Sequence, residues 1–195
     1  MGVMIAFEEY RIEHLTDFEE LAEFYTGKEK MDDFLHYNLQ NCEESHYCHV
    51  FAVRLKSNDA LVAIFALAFD SVDIDSDDFD DMRIGAAGTE LPAVNYNFRE
   101  QFEQKYTYPA LEIAYLAVDK KFQKMHLGSA LIEEIASMAR NQKIAGCVFL
   151  TVKAWHTSDY SAVEFYEKHQ FAKLTPVPQM DVWPMYRTIW PQSVE

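Results

Sequence analysis

The chain has no run of eighteen apolar residues, so no segment of it reads as a transmembrane helix. Its first residues, Met-Gly-Val-Met-Ile-Ala, lack the basic stretch and apolar core of a secretory signal. Ala6 also stands where a myristoylation signal has Ser or Thr. Neither a membrane partner nor a secreted location is therefore expected. Three cysteines (Cys42, Cys48 and Cys147) form an odd set without metal-ligand spacing, which speaks against a disulfide framework and for a reducing cytoplasm. Internal repeats and low-complexity linkers are absent. Basic residues are scarce: 17 Lys and Arg against 32 Asp and Glu leave a formal net charge of −15. That balance disfavours nucleic acid as the main partner, because phosphate binding needs local Lys and Arg. It leaves room for a local basic patch. The negative field suits a cationic substrate such as an amine, and it serves plain solubility equally well.

What is present is enough apolar sequence for a core. With 195 residues, 49% of them hydrophobic, the expectation is one globular domain over 1–195. Phe7 to Leu15 reads as a first strand. Thr16-Asp17-Phe18-Glu19 reads as a capping box opening a helix that buries Phe18, Leu21, Ala22 and Tyr25. A second helix is expected over Lys30 to Gln40, with Met31, Phe34, Leu35 and Asn38 on one face. Tyr47–Leu55 and Ala60–Phe69 read as an antiparallel hairpin around Lys56-Ser57-Asn58-Asp59. Residues 70–107 read as an acidic insertion, partly helical near Asn97 to Lys105. Then follow a strand to Val118, a helix to Asn141, a strand Cys147–Val152, a helix from about Asp159 to Lys168, and short strands near Phe171–Leu174 and Val182–Ile189. This order implies a mixed α/β (α+β) domain.

The most informative stretch is Leu111 to Leu131. The strand-like segment 111–118 runs through a charged turn into a helix that opens at about Leu127-Gly128-Ser129-Ala130. The first amides of a helix have no internal partner, and its dipole favours negative charge there, so such a junction can hold a phosphate. The same strand carries one carboxylate, Glu112, among apolar residues. A phosphate-bearing cofactor beside a general base is the chemistry this combination suggests.

Two motifs carry a family resemblance. Gln123-Lys124-Met125-His126-Leu127-Gly128, followed by Ser129-Ala130-Leu131, is similar to the Gln/Arg-x-x-Gly-x-Gly/Ala cofactor loop of the GNAT-superfamily N-acetyltransferases. Ala162 with Phe165-Tyr166-Glu167-Lys168-His169-Gln170-Phe171 is similar to that superfamily's later signature. The resemblance implies a GNAT-like central mixed, mostly antiparallel, twisted sheet of six to seven strands flanked by about four helices. It implies acetyl-CoA as co-substrate. The backbone of Leu116, Ala117 and Val118 would pair with the pantetheine arm like an added strand. Amides of Gln123, Lys124, Met125, His126, Leu127, Gly128 and Ser129 would hold the pyrophosphate, with Asp159 and Ala162 near the pantetheine. Three positions depart from the pattern. His126 replaces the first loop glycine, where a missing Cβ lets backbone approach the phosphates. Asp159 stands where many relatives have Asn, and Gln170 replaces the glycine before the final Phe. Many members of the superfamily form homodimers through their terminal strands.

Acetyl transfer to an amine requires the ammonium to lose a proton, the oxyanion to be stabilised and the thiolate to leave. Glu112 is the expected base, since apolar neighbours would raise its pKa toward neutrality and histone-type relatives carry a Glu there. Tyr166, by resemblance, is the expected acid for the CoA thiolate. Cys147, at the start of an apolar strand, is expected to be an inert thiol, so direct attack in a ternary complex is preferred to an acetyl-enzyme. Asp73, Asp75 and Asp77 start like an EF-hand loop, but Asp78 stands at the required glycine and Ile84 at the final Glu, so no metal is expected there. His36, His46, His49, His156 and His169 show no ligand pattern, although His156 has a place near the cleft. The expected function is acetyl transfer from acetyl-CoA to a primary amine of a small molecule or peptide. The alternatives are a toxin-type enzyme acting on aminoacyl-tRNA, whose phrases Leu-Ala-Val-Asp (116–119) and Glu-Phe-Tyr-Glu-Lys (164–168) look alike, and a non-catalytic acyl-CoA-binding module.

Overall fold

The computed structural model describes residues 9–74, 101, 104–174 and 180–189. Its strands are β1 (Tyr10–His14), β2 (His49–Leu55), β3 (Leu61–Asp73), β4 (Thr107–Val118), β5 (Phe149–Trp155), β6 (Ala172–Lys173) and β7 (Val182–Thr188). They form one seven-stranded sheet in the order β1-β2-β3-β4-β5-β7-β6. The β1–β2, β2–β3, β5–β7 and β6–β7 pairs are all antiparallel. The described helices are α1 (Glu29–Tyr37), α2 (Leu39–Glu44), α3 (Leu127–Asn141) and α4 (Val163–Glu167), with 3-10 turns at Phe18–Glu23 and Lys120–Phe122. None is long and apolar enough to cross a membrane. The mixed, mostly antiparallel α/β architecture expected from the sequence is the one observed. Contacts divide the chain into two compact units, Met1–Ala68 with Ile113–Glu133, and Phe69–Glu112 with Glu134–Glu195.

In the first unit the β2–β3 hairpin follows its sequence pattern. Asn58 Oδ1 accepts from the Ala60 amide at 3.2 Å, and Asp59 takes the left-handed conformation (φ +64°) that Asp and Asn tolerate. Alternation along β2 sends Val50 and Ala52 into a core with Leu15, Leu21, Phe24, Leu35, Leu39, Ile64 and Ala117. Each fully buried Leu there contributes roughly 1.5–3 kcal/mol over leaving it exposed.

Three expectations need correction here. The cap of the first turn is Asp17, which accepts from the Glu19 amide at 3.0 Å; Thr16 is not the cap, and the turn is a six-residue 3-10 helix. Phe24 ends it in extended backbone, so Phe24 is buried while Tyr25 is 51% exposed. The single helix expected over Lys30–Gln40 is instead two short ones, broken at Asn38, whose backbone leaves the helical region (φ −124°, ψ −25°). Asn38 is consequently exposed, and Leu39 takes the buried place.

In the second unit, β5 pairs with β7 from Phe149 opposite Thr188 to Trp155 opposite Val182. Its core gathers Val72, Ile74, Tyr108, Ala110, Phe149, Ala172 and Tyr186. Phe149 meets Tyr186 edge-on at 5.6 Å and Tyr108 at 6.2 Å. β5 begins two residues later than expected and runs to Trp155, so Lys153 lies inside the strand. α4 is shorter than the expected Asp159–Lys168 helix. Residues Thr157 to Ser161 form a turn instead, with the Thr157 amide donating to Tyr160 O at 2.8 Å and Ser161 bridging to His156. Ser and Thr hydroxyls competing for nearby backbone groups explain the delay. Asp75, Asp77 and residues 97–100, 102 and 103 of the expected Asn97–Lys105 helix lie outside the described residues.

Candidate active site

The strand and loop that the sequence assigns to the cofactor as an expectation are built within the first unit. β4 delivers Leu116, Ala117 and Val118; Ala117 is buried and its two neighbours are half-buried. Asp119 ends the strand. It is buried, and its carboxylate accepts from the Lys121 amide at 2.8 Å and the Tyr25 amide at 3.4 Å. The Lys120 amide donates to Tyr25 O at 2.7 Å. Gln123 then acts as a staple: its Nε2 donates to Val118 O at 3.0 Å and Thr26 O at 2.8 Å. The side chain of Gln123 thus fixes the loop's shape.

The staple reaches a second turn that the sequence did not reveal. Thr26 donates both its amide and its hydroxyl to the buried Asp32 carboxylate, each at 2.7 Å. Gly27 has φ +76°, and a Cβ there would meet Lys120 Cδ at 3.1 Å. Glycine is thus favoured at position 27 by conformation and by space alike.

Two residues of the loop, Lys124 (φ +64°) and His126 (φ +60°), are left-handed. His126 therefore keeps the backbone conformation that a glycine would adopt, at a cost of roughly 1–2 kcal/mol. Its side chain, like that of Lys124, is exposed. Left-handed residues alternating with ordinary ones curl amides around an anion. α3 begins directly after this turn, with the Ala130 amide donating to His126 O at 3.1 Å. No acidic residue occupies its first turn. The amides ahead of that first helical bond, including those of Leu127 and Gly128, are the ones a helix leaves for a ligand. Lys120, Lys121 and Lys124 make this loop locally basic in an acidic chain.

The first unit also has an open groove of about 560 Å³, lined by Phe34, Asn38, Asn41, Cys42, Ser45, Tyr47 and Tyr115. Phe34 stacks on Tyr115 at 4.3 Å. No lining residue is charged. Burial pushes the Cys42 thiol up, so it stays neutral.

The second unit holds Glu112, Asp159, Ala162 and Tyr166. Glu112 is 7% exposed, and its Oε1 lies 3.0 Å from Lys153 Nζ. The expectation of purely apolar surroundings is corrected by this ammonium. Asp159 is exposed and accepts from Ser158 Oγ at 3.0 Å. Ala162 links β5 to α4: its amide donates to Trp155 O, and its carbonyl accepts from the Tyr166 amide at 3.2 Å. Tyr166 is buried, edge-on to Phe171 at 5.3 Å. Burial first, and Tyr160 second, hold its hydroxyl well above the ordinary tyrosine range. A phenol so placed stays protonated, as a proton donor must. The turn after α4 places Gln170 at φ +66°, so the Gly position of the motif is again occupied by a left-handed residue. Cys147 donates to Phe149 O at 3.3 Å, and burial pushes its thiol up, as suits an inert thiol.

Residues 83–173 match the family model for the acetyltransferase (GNAT) domain. Over that stretch the chain is similar to the GNAT acetyltransferases. Among solved structures, a tyrosine-to-phenylalanine mutant of KacT is similar with 17% identity and a TM-score of 0.64, covering 93% of this chain and 95% of that one. AtaTR bound with AcCoA matches equally, at 17% identity and TM-score 0.64, with 93% and 95% covered. AtaT complexed with acetyl-methionyl-tRNAfMet matches at 18% identity and TM-score 0.61, with 91% and 94% covered. At these identities the likeness is one of fold. No curated protein sequence matches.

Proposed function

We propose that this enzyme moves acetyl from acetyl-CoA to a primary amine by direct attack in a ternary complex. The observation that carries the reading is the left-handed loop Lys124–His126 feeding the non-acidic start of α3, a backbone cradle suited to a pyrophosphate. Leu116, Ala117 and Val118 offer strand backbone to the pantetheine arm. The amine nitrogen attacks the thioester carbonyl, the carbonyl oxygen becomes an oxyanion, and the C–S bond then breaks. The thiolate takes the Tyr166 proton. Glu112, paired with Lys153, accepts the proton lost by the ammonium. The uncharged, aromatic groove of Phe34, Tyr47 and Tyr115 supplies an acceptor side that suits an apolar or aromatic group beside the amine.

A second acceptor reading rests on the neighbours: AtaT was solved with acetyl-methionyl-tRNAfMet, an acetylated aminoacyl-tRNA. The net charge of −15 weighs against so anionic an acceptor, while the basic loop lysines weigh for it. A transfer screen with labelled acetyl-CoA over polyamines, amino acids, aminoglycosides, peptide N-termini and charged tRNAs separates the two. Acetylation of a free amine or peptide supports the first reading. Acetylation confined to aminoacyl-tRNA establishes the second, and no transfer to any amine overturns both.

A further inference from the structure

His14, Glu43 and His49 meet at one point on the first unit. His14 ends β1, His49 begins β2, and Glu43 sits in the last turn of α2. In the antiparallel register His14 lies opposite Phe51, and His49 is two residues from Phe51 along β2, so both imidazoles share one face. His14 Nε2 is 3.1 Å and His49 Nδ1 is 2.8 Å from the same carboxylate atom, Glu43 Oε1. These three atoms all lie within 4.8 Å of one another. Glu43 Oε2 accepts from the Val50 amide at 2.6 Å, which fixes the direction of Oε1. A carboxylate held this way by a second hydrogen bond is how proteins orient a metal ligand. The His46 ring is 6.3 Å from that of His49.

We propose that His14, Glu43 and His49 form a binding site for a divalent transition-metal ion, best matched to Zn²⁺. Two imidazoles and one carboxylate are a ligand set for Zn²⁺, Co²⁺ or Ni²⁺ and a poor one for Ca²⁺ or Mg²⁺, which take oxygen. A tetrahedral ion about 2.0–2.1 Å from each donor needs the donors roughly 3.3 Å apart. The imidazole–carboxylate distances fall only a few tenths of an ångström short of that. Both His side chains are largely exposed, at 46% and 61%, and have room to draw back. A fourth position stays open for water or His46. The ion would clip the end of α2 to β1 and β2. Asn41, Cys42 and Ser45, which line the open groove, flank Glu43 in sequence, so the clip steadies one wall of that groove.

The test is a Co²⁺ titration of the full chain, read by visible absorption and competed with Zn²⁺. The proposal predicts one equivalent bound, displaced by one equivalent of Zn²⁺. His14→Gln and His49→Gln should each weaken binding about tenfold to a hundredfold or more, with far-ultraviolet circular dichroism and acetyl-CoA binding unchanged. No saturable Co²⁺ absorption below about 1 mM, the result of a purely hydrogen-bonded His–Glu–His cluster, overturns it. Equal binding by the His14→Gln/His49→Gln double variant also overturns it.

Discussion

The loop Asp119–His126 of the first unit and the Glu112–Lys153 and Tyr166 groups of the second are built by different means. The loop is built from backbone. Its side chains, such as Gln123 and Asp119, shape the turn, and the groups proposed to face the pyrophosphate are amides. Glu112 and Tyr166 are buried side chains whose chemistry follows from their surroundings, an ammonium at 3.0 Å in one case and aromatic burial in the other. The difference teaches where substitution is tolerated. A backbone site survives the loss of its motif glycine as long as the φ is kept, and His126 keeps it. A side-chain site has no such reserve.

The comparison breaks most readily at Tyr166. Tyr166→Phe should lower kcat by about a hundredfold or more, the range of a general acid, with acetyl-CoA affinity little changed. Steady-state kinetics with binding measured by calorimetry checks both parts; unchanged turnover would remove Tyr166 from the acid role. Next comes Glu112→Gln, which should reduce kcat at neutral pH by roughly tenfold to a hundredfold and alter the acidic limb of the pH–rate profile. A wild-type profile would make the Glu112–Lys153 pair structural only.

The pH dependence sharpens the side-chain half. Burial raises the Tyr166 pKa, so the proton donor is present below the ordinary tyrosine value of about 10 and is lost only above it. The kcat profile should therefore show no descending tyrosine limb below pH ~10. A limb between pH 8 and 9 would contradict the burial.

Smaller effects test the backbone half. Gln123→Ala removes two hydrogen bonds to carbonyls and should cost about 1–2 kcal/mol in chemical denaturation. His126→Gly and Gln170→Gly both relieve a left-handed residue, and each should stabilise by about 1 kcal/mol or less once the added chain entropy is subtracted. Only His126→Gly should also tighten acetyl-CoA, because only its Cβ stands in the loop proposed to meet the phosphates. Equal effects on cofactor affinity would erase the distinction between the two glycine positions.

Much of the frame was legible in the sequence. The helix expected from about Leu127 to Asn141 and the strand ending at Val118 appear with those ends, because long, strongly patterned segments leave little choice. Thr16 and Asp17 are both good caps, and nothing local decides between them. The break at Asn38 was hidden because the apolar spacing runs on across it. Lys153 beside Glu112 needed the pairing of strands, and the Gln123–Thr26 bond joins residues 97 positions apart. The His14, Glu43 and His49 cluster draws on two strands and a helix, with no spacing a motif would show.

The most direct test of the central claim is a calorimetric titration of the full chain with acetyl-CoA. The account predicts saturable binding with one molecule per chain, weakened when α3's opening Gly128 is replaced by a bulky acidic residue. Absence of heat or saturation up to millimolar acetyl-CoA would contradict it.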